Sequence, residues 1–302
     1  MALNLTLLRS FHAVVEAGSV SKASREGGAS QPGLSKAVRE LEKQLGVPLL
    51  ERGARGTKPT QAGTELFDYA RAIFALEARA EDAIKAHRSL EAATLSIGAS
   101  TTIATYVLPT VLARFHALHS GISLSLWRGN SREIEARLLA YELDVALIVG
   151  APCDERLQGT VWRGDEIVGI CAPDHPLAQR EIVYPDDLAQ CVWVTREAGS
   201  GTRDALDAAM SPDGLSPVGR LEIGGCEALK QSVAAGLGIG FVSRQAAADQ
   251  IALGKLKVMR VSDIEIRSPF YLLHLPNRPL SPAARAFEAF LLSGSTPKPA
   301  ST

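Results

Sequence analysis

Apolar residues in the first sixty positions recur every three or four residues, which predicts three short helices. Glycines end each predicted helix, and serines precede the second and third, where a side-chain oxygen can accept hydrogen bonds from free backbone N–H groups. The apolar side chains of the first predicted helix lie within residues 5–15. The third helix follows Ser30 and buries Leu34, Val38 and Leu41. Helices joined by short turns around one apolar face predict a helix-turn-helix.

Two further patterns follow. Residues 64–90 contain neither proline nor glycine and place apolar side chains at alternating intervals of three and four, which predicts a long helix with a heptad seam. The seam needs a partner, and a second copy of the chain is favoured over the chain's own body because the opposite face is charged. From residue 91, strand-like runs alternate with helix patterns, which predicts an α/β body with mostly parallel sheets. The seam consists of Leu66, Tyr69, Ile73, Leu76, Ala80, Ala83, His87 and Leu90.

A basic, glycine-rich segment lies between the helix-turn-helix and the long helix. It carries Arg52, Arg55 and Lys58 among glycines and Pro59. Such a segment suits a hairpin-like wing that contacts phosphates, and it equally suits a plain surface loop. The residues alone leave both interpretations open.

Composition narrows the class of protein. A chain of 302 residues with 46% hydrophobic and 22% charged residues suits a globular protein of two or three domains, not a disordered, collagenous or rod-like one. No apolar run reaches the length of a membrane span, and the N-terminus lacks the pattern of an export signal. The four cysteines lie far apart without a C-x-x-C pair, which favours a reducing cytoplasm.

Charge is distributed unevenly. Residues 1–60 carry nine Lys/Arg and five Asp/Glu, which gives +4, whereas the remainder carries −5. The outer face of the third helix presents Gln31, Ser35, Lys36, Arg39 and Lys43. Glutamine can pair with adenine, and Lys and Arg bind phosphates or guanine. An ordinary solvated helix face would explain each residue singly, but the local charge and the helix-turn-helix spacing together favour DNA binding.

These residues also form a specific pattern. Residues 3–63 resemble the winged helix-turn-helix of LysR-type transcriptional regulators, and a weaker similarity extends over most of the chain. The matching segments are Ser19 through Ala23 to Ser30-Gln31-Pro32-Gly33-Leu34-Ser35-Lys36, Arg39, Leu41-Glu42, Leu45 to Arg52, Thr60 to Gly63, Asp144 to Leu147, Ala235 to Gly240 and Leu280 to Ala284.

The resemblance implies an α+β multidomain fold. A winged helix-turn-helix would span residues 1–60, and a linker and dimerisation helix residues 61–90. Residues 91–302 would form a two-subdomain α/β effector receptor resembling type 2 periplasmic binding proteins. Subdomain I would combine about 91–163 with 266–302, and subdomain II would hold about 164–265.

The resemblance also implies how DNA is read. The third helix would lie in a major groove, and the wing would contact the flanking backbone. The long helix would pair two subunits on a palindrome-like site, and dimers of this family commonly assemble into tetramers. The predicted DNA-binding residues are Ser30, Gln31, Pro32, Ser35, Lys36, Arg39, Arg52 and Arg55.

Turns that precede helices in the body offer hydroxyl groups and free N–H groups to an anion. Such turns occur at residues 98–102, 199–203, 224–226 and 129–131. Each turn alone is more often an ordinary helix cap, and Arg203 could simply pair with a surface acid. Several such turns in one α/β body make a ligand site as good an explanation as caps, and the family places its effector site at the first three. We therefore expect a small anion or polar acid. The predicted effector-binding residues are Ser100, Thr101, Thr102, Thr202, Arg203, Gly225 and Cys226.

Other chemistry is poorly supported. His116 and His119 lack further metal ligands, and Cys226 suits an inert core thiol better than a redox sensor with a lowered pKa. The sequence contains no P-loop, H-E-x-x-H or G-x-S-x-G motif, so we expect no catalytic residue, metal or cofactor. A solute receptor without gene control and an enzyme on the same body are the alternatives.

The expected partners follow from this interpretation. They are double-stranded DNA of a promoter or operator, a small-molecule effector, and further copies of the chain in a homodimer or homotetramer. RNA polymerase stays open as an additional partner. The expected location is the cytoplasm, with no membrane contact.

Overall fold

The computed structural model describes residues 2–53, 56–86, 93–211, 215–262, 264–276 and 278–293. The chain divides into a first unit of residues 1–81 with 140–142 and a second unit of the remaining residues. Among the helices in the described ranges, none combines the length and the apolarity needed to cross a bilayer.

Three helices build the N-terminal part of the first unit: α1 (Leu5–Ala17), α2 (Val20–Gly27) and α3 (Gln31–Leu45). The predicted helix-turn-helix is therefore confirmed. Leu34, Val38 and Leu41 of α3 pack in one buried cluster with Phe11, and each such side chain contributes about 1.5–3 kcal/mol on burial. Gly46 ends α3 in the left-handed conformation, with a φ of 73° that disfavours other residues.

The basic segment forms the antiparallel hairpin β1 (Leu50–Gly53) and β2 (Gly56–Pro59). The predicted hairpin is thus confirmed and the plain loop is wrong, while its contact with phosphates stays a prediction. The carboxylate of Glu42 on α3 accepts hydrogen bonds from the backbone N–H groups of Leu49 and Leu50, at 2.8 and 3.1 Å. These bonds attach the start of the wing to the third helix.

The long helix α4 (Gln61–Ala86) begins at the residue that the family resemblance implies, three residues before the heptad pattern. The Thr60 hydroxyl caps it by accepting a hydrogen bond from the N–H of Gly63. Its seam does not face one partner. Leu66 and Ile73 pack against the helix-turn-helix core, whereas Tyr69 and Leu76 are 63% and 48% exposed. The prediction that the whole seam pairs with a second copy was therefore wrong for Leu66 and Ile73. The apolar arc of α4 is wide enough to form two separate contact faces. Two of its predicted members, His87 and Leu90, lie outside the described residues.

The second unit is built on one mixed sheet, which has nine strands within the described residues. Its order is β4-β3-β5-β11-β6-β9-β7-β8, and β10 also pairs with β6. The sheet is parallel within β3–β5 and within β7–β9, but β6 and β11 run antiparallel to their neighbours, so "mostly parallel" was wrong. The strands are β3 (Thr94–Ser100), β4 (Ser123–Gly129), β5 (Val145–Val149), β6 (Gln158–Cys171), β7 (Val192–Arg196), β8 (Gly219–Ile223), β9 (Ile239–Ser243), β10 (Lys257–Met259) and β11 (Ile266–His274).

Helices cover both faces of this sheet and form separate cores in its two halves. One half packs around Phe115 and Phe287, and the other around Trp193. The long strands β6 and β11 pass from one half to the other, and along β11 the core membership changes between Ile266 and Phe270. This change agrees with the two-subdomain architecture. The helices are α5 (Thr101–Tyr106), α6 (Leu108–Leu118), α7 (Ser131–Leu139), α8 (Pro185–Ala189), α9 (Gly201–Met210), α10 (Cys226–Ala234), α11 (Arg244–Ala252) and α12 (Pro282–Leu292).

Candidate DNA-reading face and effector site

The outer face of α3 carries free polar groups. Gln31, Pro32, Lys36 and Arg39 are exposed and Ser35 is partly buried. Within the part of the chain that the structure describes, the two cations have no ion pair. Their charges are therefore available to a ligand. Since the apolar side chains of α3 are buried against α1, this face is the one left for a partner.

Ser30 serves as the N-cap of α3. Its hydroxyl accepts a hydrogen bond from the backbone N–H of Gly33 at 3.2 Å. The Ser24 hydroxyl donates to the carbonyl of Ala29 at 2.6 Å, which fixes the turn between α2 and α3. The N-terminus of α3, with its positive dipole end, thus lies in a defined turn beside exposed Gln31.

The wing supplies the remaining predicted DNA contacts. The backbone of Arg52 lies in β1, and Lys58 on β2 is exposed. Arg55 lies outside the described residues. The structure therefore gathers Ser30 to Arg39 on one helix and places Arg52 on the adjacent hairpin.

A small polar cavity lies where strands from both halves of the sheet end. Ser100, Val149 and Arg196 are the last residues of β3, β5 and β7, and they line this cavity. The cavity volume is about 10 Å³, which is room for one water molecule. The cavity is therefore too narrow for a larger ligand. Its other lining residues are Thr101, Thr102, Asn130, Ser131, Ser200, Gly201 and Thr202.

The cleft hydroxyls differ in how they are satisfied. Thr101 donates to the carbonyl of Gly129 at 3.0 Å. The Ser100 hydroxyl is buried, since the residue is only 4% exposed, and it has no hydrogen-bond partner among the described residues. Thr102 and Thr202 are also buried against the cavity. An unsatisfied buried hydroxyl is costly, so Ser100 is the group here with most to gain from a ligand.

Arg196 is the charged residue that lines the cleft. Its side chain is 3% exposed, and its Nε and Nη2 donate to the Glu197 carboxylate at 2.8 and 2.7 Å. Burial alone would raise the pKa of Glu197, but the hydrogen bonds and charge of Arg196 outweigh it and lower this pKa to about 2. The Nη1 of Arg196 makes no hydrogen bond to the described residues.

Arg203 does not line the cavity, although we expected it to clamp the effector. Its Nη1 donates to Glu222 at 2.5 Å and to the carbonyl of Arg196 at 3.2 Å. Its Nε lies 3.5 Å from an Asp207 oxygen. Arg203 therefore pairs with surface acids, which was the alternative interpretation of this residue. The arginine that lines the cavity is Arg196.

Gly225 and Cys226, which we expected to bind the effector, do not line the cavity. The N–H of Gly225 donates to Glu197 at 3.1 Å and so helps to hold that carboxylate. Cys226 is 2% exposed in an apolar core. Because burial raises the pKa of this thiol, the hypothesis of a redox sensor with a lowered pKa is wrong.

A polar bridge that the sequence did not reveal joins the two subdomains. The hydroxyl of Tyr106 on α5 donates to Glu227 on α10 at 2.8 Å. Lys230 also pairs with Glu227, at 2.9 Å, and its ammonium lies 4.6 Å from the Tyr106 ring centroid. These contacts link α5 with α10.

Asn130 and Ser131 follow β4 and line the cavity, and they belong to the turn at residues 129–131 that the sequence pattern indicated. Arg196 was missed. It ends β7 immediately before a glycine-rich turn, and ligands bind at such strand ends in open α/β sheets, but the sequence alone does not separate it from Arg203. Gly201 is required for the closed cleft, because a Cβ there would lie 1.9 Å from the carbonyl oxygen of Val149. Within the described residues, no group of three or more His, Cys, Asp or Glu side chains is arranged to hold a metal.

Family comparisons cover almost the whole chain. Residues 5–64 match the family described as "Bacterial regulatory helix-turn-helix protein, lysR family", and residues 88–295 match "LysR substrate binding domain". The chain is 33% identical over 293 residues to the RuBisCO operon transcriptional regulator of Allochromatium vinosum, covering 97% of each protein. It is 32% identical over 271 residues to the HTH-type transcriptional regulator CysL of Bacillus subtilis, covering 89% of this chain and 90% of CysL.

Solved structures share the fold. The regulatory domain of Synechocystis CcmR in complex with 2-PG is 28% identical, with a TM-score of 0.63 over 67% of this chain and 96% of that domain. Full-length CbnR complexed with its target DNA is 21% identical, with a TM-score of 0.73 over 97% of this chain and 100% of CbnR. The CbnR likeness establishes the architecture.

Proposed function

Because this chain belongs to the LysR family of bacterial transcriptional regulators, we propose that it reads operator DNA through the outer face of α3 and the wing. The observation that carries this proposal is the exposure of Lys36 and Arg39, neither of which has an ion pair in the described structure. Gln31 lies at the start of the same face, where it can reach a base edge. The family membership sets aside both the enzyme and the free-standing solute receptor.

Selection of bound fragments from genomic DNA, followed by footprinting, tests this assignment. Gln31→Ala should relax the preference at one base position of each half-site, because a bidentate glutamine–adenine pair contributes about 1–3 kcal/mol to discrimination. Lys255→Ala, an exposed cation in the second unit, is the matched control. An unchanged base preference in Gln31→Ala would remove this residue from the reading face.

We also propose that the exposed apolar stripe of α4 pairs with the same stripe of a second copy. Tyr69, Leu76 and Ala80 are exposed on α4, beside the stripe that packs on the chain's own core. Leu76→Asp should shift the chain toward monomers in analytical ultracentrifugation, whereas Glu65→Gln on another face of α4 should not. A Leu76→Asp chain that sediments like the wild type would place the contact elsewhere.

The effector proposal is a small molecule with an anionic head group that enters the cleft as the two halves separate. Ser100 offers an unsatisfied hydroxyl, Arg196 offers its Nη1, and α7 and α9 begin at the cavity. Since the closed cavity is too small for a metabolite, binding favours a more open angle and so shifts the balance between conformations. A coupling of about 1–3 kcal/mol would change DNA preference 5–150-fold.

A thermal-shift screen of small carboxylic, sulfonic and phosphorylated acids against the full-length chain tests the effector site. A ligand raises stability by RT ln(1 + [L]/Kd), so hits can be ranked. Thr202→Val should abolish the shift, while Arg203→Ala, outside the cavity, should retain it. The opposite result would move the site to Arg203. We propose the cytoplasm as the place of action, because the chromosomal operator lies there.

A further inference from the structure

A second cavity lies in subdomain II, where the sheet has a gap. β10 pairs with β6 as far as Met259, and β11 begins its pairing with β6 at Ile266. The chain between these residues leaves the sheet and is held aside by Val183, which donates to the carbonyl of Arg260 and accepts from the N–H of Ser262, both at 2.9 Å. The result is a cavity of about 320 Å³ on the same edge of β6.

The floor of this cavity is apolar. Ile167, Phe241, Met259 and Ile266 line it, and each is at most 5% exposed. Gly169 lets the floor pack closely against β6, because a Cβ there would lie 3.0 Å from Cε of Met259 and 3.3 Å from a Phe241 ring carbon. These side chains also belong to the core of subdomain II. The cavity is therefore a recess in a packed core with fixed walls.

The rim carries an excess of positive charge. Arg244 and Arg260 line the cavity together with one acid, Glu166. Arg244 is paired with Glu166, with Nε 2.6 Å from a carboxylate oxygen. Arg260 is exposed and has no ion pair in the described parts of the chain. One cation is thus left at the mouth of an apolar recess.

We propose that this cavity is a second ligand site, separate from the cleft, for a small carboxylic acid with a hydrocarbon body. The hydrocarbon would occupy the recess and the carboxylate would pair with Arg260. A volume of about 320 Å³ lies within the ~300–1,000 Å³ range of small-molecule sites, and an apolar lining with a few polar groups is their usual composition. The proposal does not depend on which effector enters the cleft.

Methionine-methyl NMR of the full-length chain tests the proposal, with 3-phenylpropionate as the probe. The chain has three methionines, Met1, Met210 and Met259, so the Met259 signal is assigned by its loss in Met259→Leu. Titration should shift the Met259 methyl saturably through the ring current of the probe, and more than the Met210 methyl, which lies in the same core but does not line the cavity. The neutral 3-phenylpropan-1-ol should bind more weakly.

Two variants locate the carboxylate and the hydrocarbon. Arg260→Gln should weaken binding roughly three- to tenfold, as expected for one partly exposed ion pair, while Arg128→Gln, an exposed arginine on β4, should not. Ile264→Trp, in the loop that lines the cavity, should fill the recess and abolish the shift at an unchanged melting temperature. The proposal is overturned if Met259 shows no saturable shift, if both variants bind like the wild type, or if Thr202→Val in the cleft removes binding.

Discussion

Two polar surfaces of this chain hold their cations in opposite ways. On α3, Lys36 and Arg39 extend into solvent, and the described structure gives neither an ion pair. In the cleft, Arg196 is almost fully buried and held by both oxygens of Glu197. A solvated cation contributes little to folding, whereas a buried one must be paired. Substitutions on α3 should therefore change binding alone, while substitutions in the cleft should change binding and stability together.

The largest expected effect comes from the buried arginine. Arg196→Met should lower the free energy of unfolding by about 3 kcal/mol, because it removes a buried cation and leaves the Glu197 carboxylate without its partner in a partly buried position. Arg203→Met is the matched control and should cost about 1 kcal/mol or less, since its acidic partners are partly exposed. Urea denaturation of the two variants measures both values. Equal losses would mean that Arg196 contributes no more to the stability of the fold than Arg203.

The second effect concerns DNA. The double variant Lys36→Ala/Arg39→Ala should weaken operator binding on the order of 10- to 100-fold and reduce the salt slope, log Kd against log salt, by about two. Its free energy of unfolding should stay within about 0.5 kcal/mol of the wild type, because both side chains are exposed.

Fluorescence anisotropy of a labelled operator over a salt series gives the affinity and the slope, and urea denaturation gives the stability. Lys255→Ala/Lys257→Ala removes two exposed cations from the second unit and should leave both the affinity and the slope unchanged. A double α3 variant with wild-type slope would show that these cations do not contact phosphates.

The same contrast explains what the sequence could predict. The α3 face could be predicted because a helix repeats every 3.6 residues, so local spacing alone separates Leu34 and Val38 from Lys36 and Arg39. Family resemblance then supplied the wing and the two-subdomain receptor. The cleft hydroxyls of Ser100, Thr102 and Thr202 were found from turns that precede helices.

The cleft arginine was not predictable in this way. Arg196 and Arg203 both flank the same glycine-rich turn. Only the position of β7 in the folded sheet decides which of the two lines the cavity. The Tyr106–Glu227 bridge joins residues 121 positions apart, so no local pattern signals it. The prediction for the seam of α4 was wrong for a related reason. Residue spacing reveals an apolar arc, but it does not reveal how many partners pack against that arc.

A third prediction concerns pH. The pKa of Glu197 is lowered from its ordinary value of 4.5 to about 2 in the folded chain. A depressed carboxyl pKa stabilises the fold above pH 4.5, and this contribution is lost as the pH falls from there toward about 2. The stability difference between wild type and Glu197→Gln should therefore shrink across this window, as measured by urea denaturation at several pH values. A difference that stays constant down to pH 3 would contradict the assigned pairing.

The smallest effect is the most specific to the cleft. Ser100→Ala removes a buried hydroxyl that has no hydrogen-bond partner in the described parts of the chain, so the unliganded chain should keep its stability or gain up to about 1 kcal/mol. Thr101→Val is the matched control. It removes the hydroxyl that donates to the Gly129 carbonyl and should lose about 1 kcal/mol.

Binding of an effector should reverse this ranking. The anion should bind Ser100→Ala about 10- to 150-fold more weakly, because a hydrogen bond to a charged group contributes about 1.5–3 kcal/mol. Thr101→Val should bind it nearly as well as the wild type, since that hydroxyl is already engaged with the protein. Calorimetry with the strongest acid from the thermal-shift screen measures both affinities. If Ser100→Ala instead destabilises the free chain as much as Thr101→Val does, then Ser100 serves the fold and is not held in reserve for a ligand.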